Sequence, residues 1–148
     1  DAGLPWLAPV GRLDQASEGL LLMSNDPAWA AAITDPDTGP DKTYHVQADA
    51  IPDDALLARL RAGVVDEGEP LAAKSATLLR SGTRNAWLEI VLDEGRNRQI
   101  RRLLAAHGLG VLRLVRVAIG PVALGELAKG QWRHLTPAEV AGLAPATP

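Results

Sequence analysis

Four segments of the sequence have the period-two side-chain pattern of a β-strand, and they constrain the fold more than any other feature. They span residues 43–50, 71–80, 85–93 and 111–119. Successive side chains of a strand point to opposite faces, so residues two apart share a face. The turn-forming Ser81-Gly82-Thr83 predicts that the second and third segments pair as a hairpin. The predicted shared faces are those of Tyr44, Val46 and Ala48, of Ala86, Leu88, Ile90 and Leu92, and of Val111, Arg113, Val115, Val117 and Ile119.

Shorter signals complete the secondary structure. Residues 9–13, 20–24 and 131–135 are predicted as further strands. Helices are predicted over residues 27–34, where Asp26 caps and Pro27 follows, over 52–62 with Gly63 as the stop, and over 97–107. A capping box at Thr136 opens a short C-terminal helix. Strands outnumber helices and their neighbours can pair as hairpins, which predicts an α+β fold on a mainly antiparallel sheet flanked by helices.

The composition excludes several classes of chemistry. The 148 residues are 47% apolar, which is enough for one globular domain over residues 1–148. The chain has no cysteine, so disulfides and thiolate nucleophiles are excluded. No run approaches the roughly 20 apolar residues of a membrane helix, and the three histidines lack the spacing of metal ligands. We expect a cytoplasmic monomer without a metal and without a membrane partner.

The charges are distributed unevenly along the chain. Residues 1–83 hold 6 Lys and Arg against 13 Asp and Glu, whereas residues 84–133 hold 9 against 4. A basic segment on an acidic chain can concentrate positive potential at one cleft. On charge alone, a solvated charged face is the simpler explanation.

Three short segments carry candidate chemistry. In the first, GRLDQASEGLLLMSND over residues 11–26, strand alternation places Arg12 and Asp14 on one side. A carboxylate beside a cation stays ionised, as a nucleophilic aspartate must. An ordinary surface ion pair explains the same pattern. Gly19 before the apolar run predicts a tight turn into the next strand. A glycosidase-like site, with Asp14 and Glu18 as its two carboxylates, is an alternative that stays open.

The second segment, KTYHV over residues 42–46, holds Tyr44, the only tyrosine of the chain. A tyrosine on an apolar strand face is usually a core residue, although it can also stack on a base.

The third segment, LEIVLDEGRNRQIRRLL over residues 88–104, carries four arginines within seven residues at a helix start. Cations there oppose the helix dipole, which favours a partner such as phosphate over a merely solvated face. These arginines are Arg96, Arg98, Arg101 and Arg102.

In this order, the three segments resemble the motifs of the RsuA-type pseudouridine synthases, which modify bacterial ribosomal RNA. The following segment, LRLVRVAIGPVALGELAKGQWRHLT, resembles the C-terminal part of the same family. The resemblance implies the family's mixed sheet with a central RNA-binding cleft. It implies that a uridine is flipped out of the RNA and isomerised, with ribosomal RNA as the partner and no cofactor.

The resemblance also implies roles for individual residues. Asp14 would be the nucleophile, attacking C1′ of the sugar or C6 of the base. Tyr44 would stack on the base and could also remove a proton, and Arg101 would pair with Asp14. Leu103 would line the pocket. The RNA contacts would come from Arg12, Arg96, Arg98 and Arg102.

Two features depart from the family pattern. Members usually begin with a strand region that contains a Lys-Pro motif, and many carry a small S4 domain, but neither precedes Asp14 here. We therefore expect a catalytic domain without its N-terminal strand region and without an S4 domain. A non-catalytic RNA-binding or ribosome-assembly protein with the same fold is the alternative function.

Overall fold

The structure is a computed structural model that describes residues 7–11, 13, 17–35, 39–93 and 98–144. The strands over these residues are β1 Ala8–Val10, β2 Glu18–Gly19, β3 Leu22–Ser24, β4 Lys42–Ala48, β5 Val64–Asp66, β6 Glu69–Leu71, β7 Ser75–Ser81, β8 Ala86–Leu92, β9 Val111–Ile119 and β10 Val122–Ala123. The helices are α1 Pro27–Thr34, α2 Asp54–Ala62, α3 Gln99–Ala105 and α4 Pro137–Leu143. Each candidate motif therefore includes at least one regular element.

The main sheet has the strand order β10-β9-β4-β8-β7, with every neighbouring pair antiparallel. The short strand β2 adds to β9 in parallel, so the sheet is mixed. The predicted hairpin around residues 81–83 forms from β7 and β8. The prediction of an α+β fold on a mainly antiparallel sheet is confirmed.

Two hydrophobic cores lie against this sheet. The first core joins one face of β4 and β8 to α2 and α3; its fully buried members include Val46, Leu60, Leu88, Ile90, Leu103 and Leu104. The second core joins β1, β3, α1, α4 and the end of β9; its members include Val10, Leu22, Ile33, Ile119 and Leu143. β9 supplies Leu114 to the first core and Ile119 to the second. This strand therefore links the two halves of the fold.

Local signals set the starts of α1 and α4 as predicted. The carboxylate of Asp26 accepts hydrogen bonds from the backbone N–H groups of Ala28 and Trp29 at 3.1 and 3.2 Å. The capping box pairs the Thr136 hydroxyl with the backbone N–H of Glu139 and the Glu139 carboxylate with that of Thr136. Each cap satisfies N–H groups that have no partner within the helix.

The strand predicted over residues 131–135 is wrong, because these residues form no ladder. Their polar groups bond locally instead. The Gln131 side chain accepts from the N–H of Ala128 at 3.1 Å, and Arg133 binds the Glu139 carboxylate through two nitrogens. The sequence alone also did not predict the hairpin of β5 and β6, which turns through Glu67 and Gly68, both with positive φ.

The predicted common face of β9 is also wrong. Leu114, Arg116 and Ile119 are buried, whereas Arg113 is exposed. The pairing of β4 with β9 shifts register between Thr43 and Tyr44. An extra residue in one strand reverses which side chains face the core beyond it. The period-two rule therefore fails along β9.

Candidate active site

The first motif docks on β9 through its second half. Glu18 and Gly19 pair in parallel with Val115 and Arg116, and the N–H of Leu20 donates to the carbonyl oxygen of Arg116 at 2.8 Å. Gly19 has φ +111, and a Cβ at this position would overlap the backbone of Arg116. Only glycine permits this close approach without strain. Arg12 and Asp14, the predicted RNA contact and nucleophile, lie outside the described residues.

Tyr44 of the second motif lies in the middle of the main sheet. It is paired with Ile90 on β8 and with Arg116 on β9, and directly paired residues project from the same face. The Tyr44 side chain is half-buried and packs against the first core. Its position in β4 is therefore held from both sides, while part of the ring remains accessible to a ligand.

Arg116 is a buried charged residue beside Tyr44. It is 5% exposed, and its Nε donates to the carbonyl oxygen of Leu20 at 2.9 Å. Because Leu20 follows the first motif's turn, this bond joins the first motif to the strand next to Tyr44. The sequence alone did not single out Arg116. The available signal was one cation inside an otherwise apolar strand, since a buried arginine must be compensated by polar partners.

Lys42, at the start of the second motif, adds a second cation to this region. The side chain is half-buried. Burial lowers its pKa, repulsion from Arg116 lowers it further, and Asp41 opposes both effects. Lys42 and Arg116 therefore place two cations on the neighbouring strands β4 and β9, with Asp41 as an opposing charge. Cations so placed can attract an anionic group.

The third motif supplies α3, which begins with Arg98 as its N-cap. Arg98 has φ 52 and ψ 34, is exposed, and its side chain has no partner among the described residues. Arg101 is half-buried, with its Nε shielded from solvent. Its helix packs on the first core, the same core that Tyr44 contacts. Arg96 lies outside the described residues.

The structure places Arg102, a predicted RNA contact, against the β5–β6 hairpin. Its Nε donates to the Asp66 carboxylate at 2.7 Å, its Nη1 to the Glu69 carboxylate at 2.8 Å, and its Nη2 to the Asp66 carbonyl at 3.0 Å. These hydrogen bonds raise the pKa of Arg102, that from Asp66 most strongly. A guanidinium that uses all three nitrogens on the β5–β6 hairpin is poorly placed to bind phosphate.

Leu103, the predicted pocket residue, has no exposed surface and belongs to the first core. Its place in the substrate pocket stays a prediction.

No cluster of three or more His, Asp or Glu that could hold a metal is found within the described ranges. The helices of this part of the chain are all too short or too polar to span a bilayer.

Comparison with known proteins identifies the family. Residues 3–106 match the family model described as RNA pseudouridylate synthase. The chain belongs to this family. The large-subunit pseudouridine synthase E of Vibrio parahaemolyticus is 40% identical over 140 residues, covering 85% of this chain and 59% of its own. The synthase E of Xanthomonas campestris is 42% identical over 144 residues, covering 87% of this chain and 77% of its own.

A solved structure supports the same assignment to the synthase family. A pseudouridylate synthase crystal structure is 36% identical and superposes with a TM-score of 0.79, covering 93% of this chain and 59% of its own. The resemblance to the RsuA-type synthases and the prediction of their fold are confirmed. The chain spans about three fifths of the Vibrio relative and of this solved synthase.

Proposed function

We propose that this chain isomerises uridine to pseudouridine in ribosomal RNA. The observation that carries the proposal is the junction of two motifs at Arg116. This residue is paired with Tyr44 of the second motif and bonded to Leu20 of the first. The third motif packs on the core that Tyr44 contacts. The names of the Vibrio and Xanthomonas relatives, both large-subunit pseudouridine synthases, support ribosomal RNA as the substrate.

The proposed reaction needs only side chains. The Asp14 carboxylate attacks C1′ of the flipped nucleotide, or C6 of its base, and the N1–C1′ bond breaks. The uracil rotates and C5 bonds to C1′ as the bond to Asp14 breaks. The hydrogen at C5 then leaves as a proton, and N1 takes up a proton. Tyr44 stacks on the base during this rotation, and Arg101 keeps Asp14 ionised, because a nearby cation favours the charged carboxylate. No cofactor is consumed, since the product is an isomer of the substrate.

The surrounding cations would hold the RNA. Arg98 is exposed at the start of α3 and has no partner in the described part of the chain. It therefore suits a phosphate contact, which we also propose for Arg12 and Arg96. We also propose that the protein acts as a monomer in the cytoplasm, where its ribosomal RNA substrate is found.

The test is tritium release from ribosomal RNA that is labelled at C5 of uridine. We expect release by the chain and none by its Asp14→Asn variant, because the amide is a poor nucleophile. The variant should still bind RNA, since Asp14 contributes no attraction to phosphate. Equal loss of binding and release would contradict the role of Asp14.

The same assay separates the alternative functions. A protein that binds RNA without modifying it would give binding but no release from either form. A carboxylate glycosidase would instead liberate free uracil, which chromatography of the reaction products would detect.

A further inference from the structure

A line of four side chains crosses the outer face of the main sheet, opposite the first core. The strand registers pair Arg80 with Trp87, Trp87 with Gln47, and Gln47 with Arg113. Paired residues project from the same face, and the neighbours of Trp87, Ala86 and Leu88, are buried in the first core. These four residues, which we call the outer row, therefore point away from that core. With strands about 4.8 Å apart, the outer row is about 14 Å long.

One end of the outer row is shaped by a β-bulge. The pairing of β7 with β8 shifts register between Leu78 and Arg80, which brings Arg80 opposite Trp87. The guanidinium carbon of Arg80 lies 5.1 Å from the centroid of the Trp87 ring. This cation–π contact orients an exposed arginine beside a half-buried indole. Both groups offer flat surfaces on which a nucleobase can stack.

An open recess of about 500 Å³ adjoins this end. Besides members of the outer row, it is lined by Arg84 and Asn85 from the β7–β8 turn. Neither Asp nor Glu lines it. Arg84 is exposed, and no described residue bonds to its side chain. The recess is large enough for a nucleotide, and its amides can bond base edges while Arg84 faces phosphate.

The other end of the outer row reaches the first motif. Nε and Nη2 of Arg113 donate to the two carboxylate oxygens of Glu18 at 2.9 and 2.8 Å. Glu18 follows Asp14 by four residues in the sequence. A polynucleotide that lies along the outer row would therefore lead towards the segment that carries the proposed nucleophile.

We propose that the outer row and its recess bind a single-stranded stretch of ribosomal RNA next to the target uridine. This inference rests on the proposed function and extends its RNA-contact surface to the second face of the sheet. The combination of an indole, the guanidinium groups of Arg80 and Arg84, and amides favours unpaired RNA, whose bases can stack and whose edges are open. An acidic protein segment would match the arginines but would leave the stacking surface and the amides unused.

The test measures binding of a fluorescent oligouridylate by anisotropy at several salt concentrations. We compare the chain with an Arg80→Ala/Arg84→Ala double variant and with Trp87→Leu. The matched control is Arg59→Ala, which removes an exposed arginine of α2 outside both the outer row and the candidate active site. Thermal unfolding of every variant checks that the fold is retained.

The double variant should bind about tenfold more weakly, and the slope of log affinity against log salt should fall by about 0.7, because Arg84 supplies one phosphate contact and each such contact accounts for roughly 0.7 in single strands. Trp87→Leu should weaken binding about tenfold with an unchanged slope, since stacking carries no charge. The control should match the parent chain. Unchanged affinity and slope in the double variant would overturn the inference. The inference would also be overturned if polyglutamate at equal charge displaced the RNA from the parent chain but not from the variants.

Tritium release measured over a range of ribosomal RNA concentrations separates this inference from the proposed function. If the parent chain releases tritium, the outer-row variants should keep kcat and raise KM about tenfold. If the parent chain releases tritium and the variants bind RNA normally, the inference about the outer row is overturned and the proposed function stands. If the variants bind RNA more weakly and the parent chain releases no tritium, the proposed function is overturned and the inference about the outer row stands.

Discussion

Arg116 is paired with Tyr44 across the β4–β9 ladder, and its Nε donates to the carbonyl oxygen of Leu20 at 2.9 Å. Leu20 is itself buried. The first motif is thus tied, through one buried side chain, to the strand that neighbours the proposed base-stacking tyrosine. A buried carbonyl that loses its donor costs about 1–3 kcal/mol. The bond from Arg116 to Leu20 should therefore fix the position of the turn at the end of β2.

Replacing Arg116 tests this positioning role. Arg116→Met should lower kcat for tritium release by about ten- to a hundredfold, because the first motif would lose its hydrogen bond from Arg116 to Leu20. RNA affinity should change little, because no surface cation is lost. Arg116→Lys should restore part of the rate, since its ammonium group can still donate to a carbonyl. Urea unfolding gives the stability of each variant. A Met variant with the parent kcat, or a Lys variant that recovers nothing, would contradict the role.

Gly19→Ala should destabilise the protein and abolish most tritium release. The matched control is Gly68→Ala, because both glycines have positive φ but only Gly19 lies against backbone. The positive φ costs Gly68→Ala about 1–2 kcal/mol, and at position 19 both the larger φ of +111 and the overlap with Arg116 add to this cost. Thermal unfolding of both variants measures the difference. Equal losses of stability would show that β2 does not dock closely on β9.

Arg98 and Arg102 should behave differently although both belong to the arginine-rich start of α3. Arg98→Ala should weaken RNA binding and reduce its salt slope by about 0.7–0.9, as the loss of one phosphate contact does. Arg102→Ala should lower the Tm by several degrees, because it breaks the bonds to Asp66 and Glu69. Anisotropy and thermal unfolding measure the two effects. If Arg102→Ala leaves the Tm unchanged and reduces the salt slope of RNA binding, Arg102 contacts phosphate after all.

The Glu139 carboxylate should stabilise α4 in a pH-dependent way. Hydrogen bonds from Arg133 and from the Thr136 backbone lower its pKa from 4.5 to about 2. A carboxyl group with a lowered folded-state pKa stabilises the fold above its unfolded pKa, and this contribution disappears as the pH falls through the folded value. Glu139→Gln should therefore lower the Tm at neutral pH.

The deficit of Glu139→Gln should shrink as the pH falls from about 4.5 towards about 2. Glu126→Gln serves as the control, because Glu126 is exposed and no described residue bonds to it. A Tm difference that stays constant over this pH range would contradict the carboxylate's role in the cap.

Several features of this protein follow from the sequence by itself. The alternation of β8 predicts its buried face, since strand geometry allows only two side-chain directions. Asp26 and the Thr136 capping box predict where α1 and α4 begin, because a cap bonds N–H groups within three residues of itself. The order of the three motifs predicts the family. Each of these inferences depends on atoms that lie close together along the chain.

Other features were decided only by the tertiary structure. Arg102 meets Asp66 and Glu69, which lie 36 and 33 residues earlier in the chain. Bulges turn Arg116 towards Tyr44 and bring Arg80 opposite Trp87. The register of two strands is set by how the whole sheet packs, and a shift of one residue reverses every face beyond it. Local rules therefore predict the strands and their caps, whereas the side chains that meet in the site depend on long-range pairing and burial.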